Sequence, residues 1–465
     1  MDSYGRIARL KVETAQDRAR AIIEEVGRLE NKGYASPGSR RLLSFVGGTA
    51  GKIDTLLENA LANAHFLTAS QLDTRLHRVV TLIPYLHQLL GFVEGSDVHH
   101  APGQLIPTLR RYTQSIFPAS ELVVRSKPEL NYSIQNIAKP IKELWETFRG
   151  TPLEQTGLVL PDFLFVLSIP AVESGQILIH GVLAHELGHA LYNKWEIAKD
   201  LLPKIRFKED LVKGLTKAMF ENQLKQGEPT PELQLRKQAT QEISARISGW
   251  VKELCCDAIG IRLFGPALFF AEAHLLTSFR PIDKSSPTHP APRLRVRLMI
   301  RLLKQLYRLE KWRSQLQEFS QAWDEVSAGT VVWTNSYDQI ALDAIDDVAL
   351  DLISDASSTA TSSLQRYSCE RFTADVAALA PLFLNLIPPG EIGGKPVSIA
   401  AIINSGWHVY LCDFEVFRAS LHSGDRDTRF AAAAKLHELV LKALEISEIR
   451  TAWEEAKNDF KRGKS

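Results

Sequence analysis

Two histidines and a glutamate interrupt an otherwise apolar run at residues 182–192, "VLAHELGHALY". His185 and His189 stand four residues apart, so on a helix both imidazoles leave one face, one turn apart. Two nitrogens so placed can hold one metal ion, and His-Glu-x-x-His is a pattern that zinc sites use. Glu186 follows about 100° further round the helix. From there its carboxylate could reach a metal-activated water without itself being a ligand. The competing reading is a pair of core histidines satisfied by backbone carbonyls. What else the chain supplies decides between the two.

Catalytic zinc usually takes three protein ligands and leaves one position for water. A third histidine six residues after the second is excluded, because Trp195 occupies that place and Tyr192 stands where that arrangement has glycine. A glutamate from a later helix is the other option. The stretch "ISARISGWVKELCCDAIGIRLFG" offers Glu253, with Asp257 four residues on and on the same face. Gly249, Cys256 and Gly260 line that face, and such small residues would let the histidine helix come close. Ile243, Ile247, Trp250, Leu254 and Ala258 form an adjacent apolar stripe that turns Glu253 inward. A buried carboxylate is costly alone but not when it binds a dication. Asp257 would then accept a hydrogen bond from a ligating imidazole and fix its tautomer. A solvated Glu-x-x-x-Asp pair is the competing reading, and Cys255 and Cys256 are rival ligands, since thiolates bind zinc well.

A third segment is "SSPTHPAPRLRVRLMIRLL". Pro290 and Pro292 suit a helix entry that Ser286 or Thr288 could cap. Along that helix Arg293, Arg297, Arg301 and Lys304 form a basic line that reads as a solvated face. Arg295 does not belong to it. It shares its line with Met299, Leu302 and Leu306, so it points into packed structure and needs an anionic partner. His289, just before the helix, is placed to stabilise developing charge, unless it is only a capping-loop residue.

The elements that must position these residues read as mostly helical. Helix-period patterns fill the first 115 or so residues, resume near Gln176, and persist to about residue 325. Short β-branched and aromatic runs at "SELVVRSKPELNYSIQNI" and "GLVLPDFLFVLSIP" predict a few strands just ahead of the histidine motif. The polar "SDASSTATSS" and the turn-rich "IPPGEIGGKP" are expected to break up a further helical region. Tryptophans such as Trp195, Trp250, Trp312 and Trp323 are expected in cores.

The 465 residues carry a net charge of +1, which gives no sign of nucleic acid as the main partner. The N-terminal stretch lacks the apolar run of a secretory signal, and nowhere do about 18 apolar residues follow one another, as a membrane span requires. Four cysteines, two of them adjacent, make no disulfide framework. A soluble, cytoplasmic protein is the expectation.

Taken in order, "HELGH" at 185–189, "ELCCD" at 253–257 and "THPAPRLR" at 288–295 resemble the gluzincin metallopeptidases. The likeness is greatest to the branch holding the CAAX prenyl protease and the bacterial heat-shock membrane metalloprotease, and it covers about residues 118 to 310. Arg295 is the sixth residue after His289, as in that branch. The resemblance implies His185, His189 and Glu253 as ligands of Zn2+, Glu186 as general base, and Asp257 as the residue that orients a ligating histidine. It implies that His289 and Arg295 stabilise a tetrahedral intermediate or hold the acidic residues behind the site. Those relatives are typically membrane-embedded and this chain shows no span, so their substrates do not carry over.

The expected fold is α+β and predominantly α-helical. A zincin-like metallopeptidase core with a small β-sheet would occupy residues 116–310, between helical regions at 1–115 and 311–465. The expected function is hydrolysis of peptide bonds in a protein or peptide substrate. The strands ahead of the motif could offer an edge to an extended substrate. The rival expectations are a helical interaction protein whose zinc site is structural or idle, and a protease active only with a regulatory partner docked on its helical flanks.

Overall fold

The computed structural model describes residues 3–63, 68–99, 103–146, 161–226, 230–279, 281–308, 312–328, 336–345, 347–422, 424 and 427–462. Its contacts divide the chain into two compact units, Met1–Ser174 and Gly175–Ser465.

The first unit opens with α1 (Ser3–Glu30), α2 (Pro37–Ala62) and α3 (Ala69–Glu94), followed by α4 (Leu105–Ile116). Ala8, Val12, Ala15, Ala19, Ile22, Val26 and Leu29 recur along α1 at steps of four and three, and all are buried. That seam packs α1 against both α2 and α3. Ser36 starts α2 by accepting the Gly38 N–H, with Pro37 in the first turn. Strands β1 (Glu121–Lys127) and β2 (Ser133–Asn136), helix α5 (Ala138–Glu146) and strand β3 (Leu164–Pro170) complete the unit. The sheet order is β1-β3-β2, with β3 parallel to β1 and antiparallel to β2. Every residue of the central strand β3 is buried. Val123 and Val166, paired across β1 and β3, belong to the same apolar core as α1, α2 and α3. The small sheet expected ahead of the histidine motif is therefore present, and it shares its core with the N-terminal helices. Residues 157–160 of the second predicted strand segment lie outside the described residues.

The second unit begins with α6 (Leu183–Lys194), α7 (Ile197–Leu201), α8 (Glu209–Gln226) and the 33-residue α9 (Glu232–Phe264). There follow α10 (Pro266–Phe279), α11 (Pro292–Tyr307), α12 (Ser314–Ala328), α13 (Ser336–Ala344), α14 (Asp347–Ala360) and α15 (Cys369–Leu384). A hairpin of β4 (Glu391–Ile392) and β5 (Lys395–Pro396) leads to α16 (Ile399–Cys412), α17 (Phe414–Ala419) and α18 (Arg429–Arg462). Gly393 and Gly394, both at positive φ, make the two-residue turn that the Gly-Gly pair in "IPPGEIGGKP" favours. Helix α9 is the axis of the unit: α6, α8, α10, α11, α13 and α14 all pack against it. It stops at Gly265, whose φ of 70° suits glycine, and Pro266 starts α10.

The polar run "SDASSTATSS" breaks the helical region only at its end: residues 354–360 are the last turns of α14, and the turn follows at 361–363. The serines of the helical part face a buried cation. Arg262 of α9 donates from Nε to Ser357 Oγ at 3.0 Å and from Nη2 to the Ser354 carbonyl at 3.1 Å. The serines thus serve a polar contact inside the unit. The basic line of α11 is likewise paired, Arg293 with Asp283, Arg301 with Asp351 and Lys304 with Asp324. Among the described residues no helix is long and apolar enough to cross a membrane.

Glycines bring α6 onto α9. A Cβ added at Gly188 would lie 2.8 Å from Cα and O of Cys256, and one at Gly260 would lie 3.1 Å from the Ala184 carbonyl carbon. Gly249, expected on the same approach, admits a different neighbour, the Thr288 carbonyl, 3.1 Å from its added Cβ. Overpacking a close contact costs about 1–3 kcal/mol. An exposed helical Gly→Ala change with open space gains up to ~1 kcal/mol. Gly188→Ala should therefore lower the urea midpoint of unfolding. Gly214→Ala, in α8 with nothing near the new methyl, should leave it unchanged or raise it. Equal midpoints for the two variants would contradict this packing.

Candidate metal centre

Three segments far apart in the chain meet between α6, α9 and the loop before α11. His185 and Glu186 are buried in the first turns of α6, and His189 follows one turn on. The two imidazoles stand perpendicular, ring centres 4.8 Å apart. Glu253 of α9 lies between their outer nitrogens: His185 Nε2 is 3.2 Å from Glu253 Oε2, and His189 Nε2 is 3.6 Å from Oε1. One donor atom from each of the three lies within 4.8 Å of the others. Tetrahedral zinc with bonds of about 2.0–2.2 Å separates its ligand atoms by roughly 3.3–3.6 Å, so the donor spacing suits such an ion.

The inner nitrogens are occupied. His185 Nδ1 lies 2.7 Å from Asp257 Oδ1, which has no exposed surface. His189 Nδ1 lies 3.1 Å from Cys256 Sγ. With both Nδ1 atoms engaged from behind, both Nε2 atoms face Glu253. The rival cysteine ligands do not join that donor group: Cys256 stands behind His189, and Cys255 is buried elsewhere on α9.

Behind Asp257 stands Arg295, 7 % exposed. It grips Asp257 with two hydrogen bonds, Nε to Oδ2 at 2.8 Å and Nη2 to Oδ1 at 2.6 Å. The same Nη2 is 3.2 Å from Oε1 of Glu272, a buried residue of α10. Arg295 thus has the anionic partner its place on α11 demands, and it is turned toward the acidic residues behind the histidines. His185, Asp257 and Glu272 also form a second close group of possible ligands. The Arg295 guanidinium supplies the positive charge there.

The loop carrying His289 is tied to the same scaffold. Trp250 of α9 donates Nε1–H to the Ser286 carbonyl at 2.8 Å, and Ser285 donates to Asp338, which Arg246 of α9 also holds. His289 N–H donates to Ser286 Oγ, and Thr288 Oγ1 sits 2.9 Å from His289 Nδ1. The remaining nitrogen, Nε2, lies 3.7 Å from Glu253 Oε2, and the ring is 42 % exposed. His289 is the solvent-facing member of the cluster. Trp195, expected in a core, is instead about half exposed, with the Lys194 ammonium over its ring.

The electrostatics ask for positive charge. Burial opposes ionisation of Glu253, but the hydrogen bond from His185 and the charges of His185, His189 and Arg295 outweigh it and hold its carboxyl well below the usual range. Burial likewise opposes a charged Asp257, and Arg295 and His185 win. Burial and Arg295 resist a proton on His185, yet Asp257 and Glu253 outweigh them and keep its pKa well above the ordinary value. His189 behaves oppositely: burial and the neighbouring His185 charge pull it down to about 3. Two ionised carboxylates and one guanidinium leave a deficit of one positive charge, which a proton on His185 covers and which a cation held at Nε2 could supply in its place. The residues fit zinc in donor type and in spacing.

All seven residues picked from the sequence lie in this unit. His185, His189, Glu253 and His289 come together through the contacts above, and Asp257 and Arg295 lie directly behind His185. Glu186 is buried beside its neighbour His185 on α6. Sequence reasoning missed Glu272 and the positions of Cys256, Trp250 and Asp338. Only Glu272 left a signal: a lone carboxylate in the apolar "LFFAEAHLL", matching a lone arginine that lacked a partner. No protein-family model, curated protein or solved structure matches this chain.

Removing one partner of a buried ion pair typically costs about 3–5 kcal/mol, against about 0–1 kcal/mol for an exposed pair. Arg295→Leu, which strands Asp257 and Glu272, should therefore destabilise the protein far more than Arg301→Leu, whose partner Asp351 is solvated. Urea unfolding of both variants measures the difference, and equal losses would refute the assigned role of Arg295.

Proposed function

We propose that the chain is a zinc-dependent peptidase of the gluzincin type, similar in its site to the branch of the CAAX prenyl protease and the bacterial heat-shock metalloprotease. The observation that carries this reading is the convergence of "HELGH", "ELCCD" and "THP" on one cluster in which both histidines of the first segment turn Nε2 toward the buried Glu253. His185, His189 and Glu253 would hold the zinc. When bound, zinc would act as a Lewis acid toward a peptide carbonyl and lower the pKa of water.

The remaining chemistry belongs to the chain. Glu186, one residue from a ligand and itself buried, takes the proton of the attacking water and returns it to the leaving amine. A structural zinc site has no use for such a base, and this favours an enzyme over an inert scaffold. His289 donates a hydrogen bond from Nε2 to the oxygen that gains negative charge. Asp257 keeps His185 in the tautomer that leaves Nε2 free, and Arg295 keeps Asp257 in place. The substrate is a protein or peptide. Four cysteines without disulfides accord with action in the reducing cytoplasm.

Loss of a positioned general base lowers a rate by about 10²–10⁴-fold. Glu186→Gln is expected to bind zinc as the wild type does and to lose cleavage of a peptide library by that factor. Mass spectrometry of new peptide ends reads the outcome, and undiminished cleavage by the variant would rule out this assignment.

A further inference from the structure

We propose that Cys256 is a positioning residue for His189, the thiol counterpart of Asp257 behind His185; this rests on the zinc reading above. Consecutive residues of α9 stand behind the two histidines of α6. Asp257 Oδ1 meets His185 Nδ1 at 2.7 Å, and Cys256 Sγ meets His189 Nδ1 at 3.1 Å. The second contact is built into the helix packing, because Gly188, next to His189, admits the Cys256 backbone where any side chain would collide with it.

The geometry also separates this role from that of a ligand. An imidazole has two nitrogens, and one that binds a cation through Nε2 carries its proton on Nδ1. For His189 that proton points at Cys256, and sulfur accepts it, weakly. Sγ is on the inner side of the ring, while Glu253 Oε1 and the donor cluster are on the outer side, 3.6 Å from Nε2. A carboxylate behind one ligand and a neutral thiol behind the other also keeps a third buried negative charge away from the cluster. Without the sulfur, His189 Nδ1–H would be a part-buried donor with no acceptor from α9, and the ring would lose its fixed orientation.

Outer partners of metal-bound histidines typically govern affinity by about 10–100-fold. Zinc affinity of the full-length protein, measured by competition with a chromogenic chelator, should therefore fall at least about tenfold in Cys256→Ala. Cys256→Ser, which restores a small polar acceptor, should recover most of that loss. Packing alone would make the two variants equally weak. The Co2+-substituted wild type gives an independent spectroscopic arm: it should show no thiolate-to-metal charge-transfer band in the near ultraviolet, and a spectrum unchanged in shape in Cys256→Ser. Undiminished affinity in Cys256→Ala or equal affinities of the Ala and Ser variants would each overturn the proposal while leaving the peptidase reading standing, and a thiolate band lost on substitution would overturn it by making Cys256 a ligand. Failure of the wild type to take up zinc at all would overturn both.

Discussion

Carboxylates give up strong hydration when they leave water, and Glu253, Asp257 and Glu272 all do so around one imidazole, that of His185. Such a group folds only if positive charge is delivered to it with close geometry. Arg295 delivers part of it, gripping Asp257 with two nitrogens and touching Glu272. The rest falls on the face where His185 and His189 meet Glu253. Much of the second unit can be understood as the means of keeping these charges in register. The arginine comes from α11, the carboxylates from α9 and α10, and the imidazoles from α6.

That register depends on backbone proximity more than on side-chain bulk. Gly188 and Gly260 let α6 lie against α9, so that the inner nitrogens of both histidines reach consecutive residues of the longer helix. Trp250 and Gly249, on the same helix, hold and admit the loop that brings His289 to the exposed side. Asp338 of α13, held by Arg246 of α9, fastens that loop through Ser285. A site assembled from three distant segments is thereby referred to one rigid element, α9, which suits chemistry that tolerates little displacement.

The parts of this arrangement legible in sequence were those with a period or a fixed spacing. Four-residue steps placed His185 with His189 and Glu253 with Asp257, and the apolar line of α11 singled out Arg295. Runs of β-branched residues marked the small sheet. What could not be read depended on contacts between segments. That the sheet shares a core with α1, α2 and α3 follows from Val123 and Val166 meeting the helices, and no local pattern encodes it. The polar run placed the break near the end of α14 but did not show that its serines continue the helix as far as Ala360, accepting hydrogen bonds from Arg262 about ninety residues earlier. Cys256 looked like a rival ligand because spacing does not say which imidazole nitrogen a neighbour meets.

The central claim is that one divalent cation sits among His185, His189 and Glu253. Crystals grown with zinc, measured on both sides of its absorption edge, locate such an ion directly. A single anomalous peak bonded to His185 Nε2, His189 Nε2 and a Glu253 carboxylate oxygen is the predicted result. No peak there at full zinc occupancy of the medium, or a peak bonded to Cys256 Sγ in place of Glu253, would contradict the account.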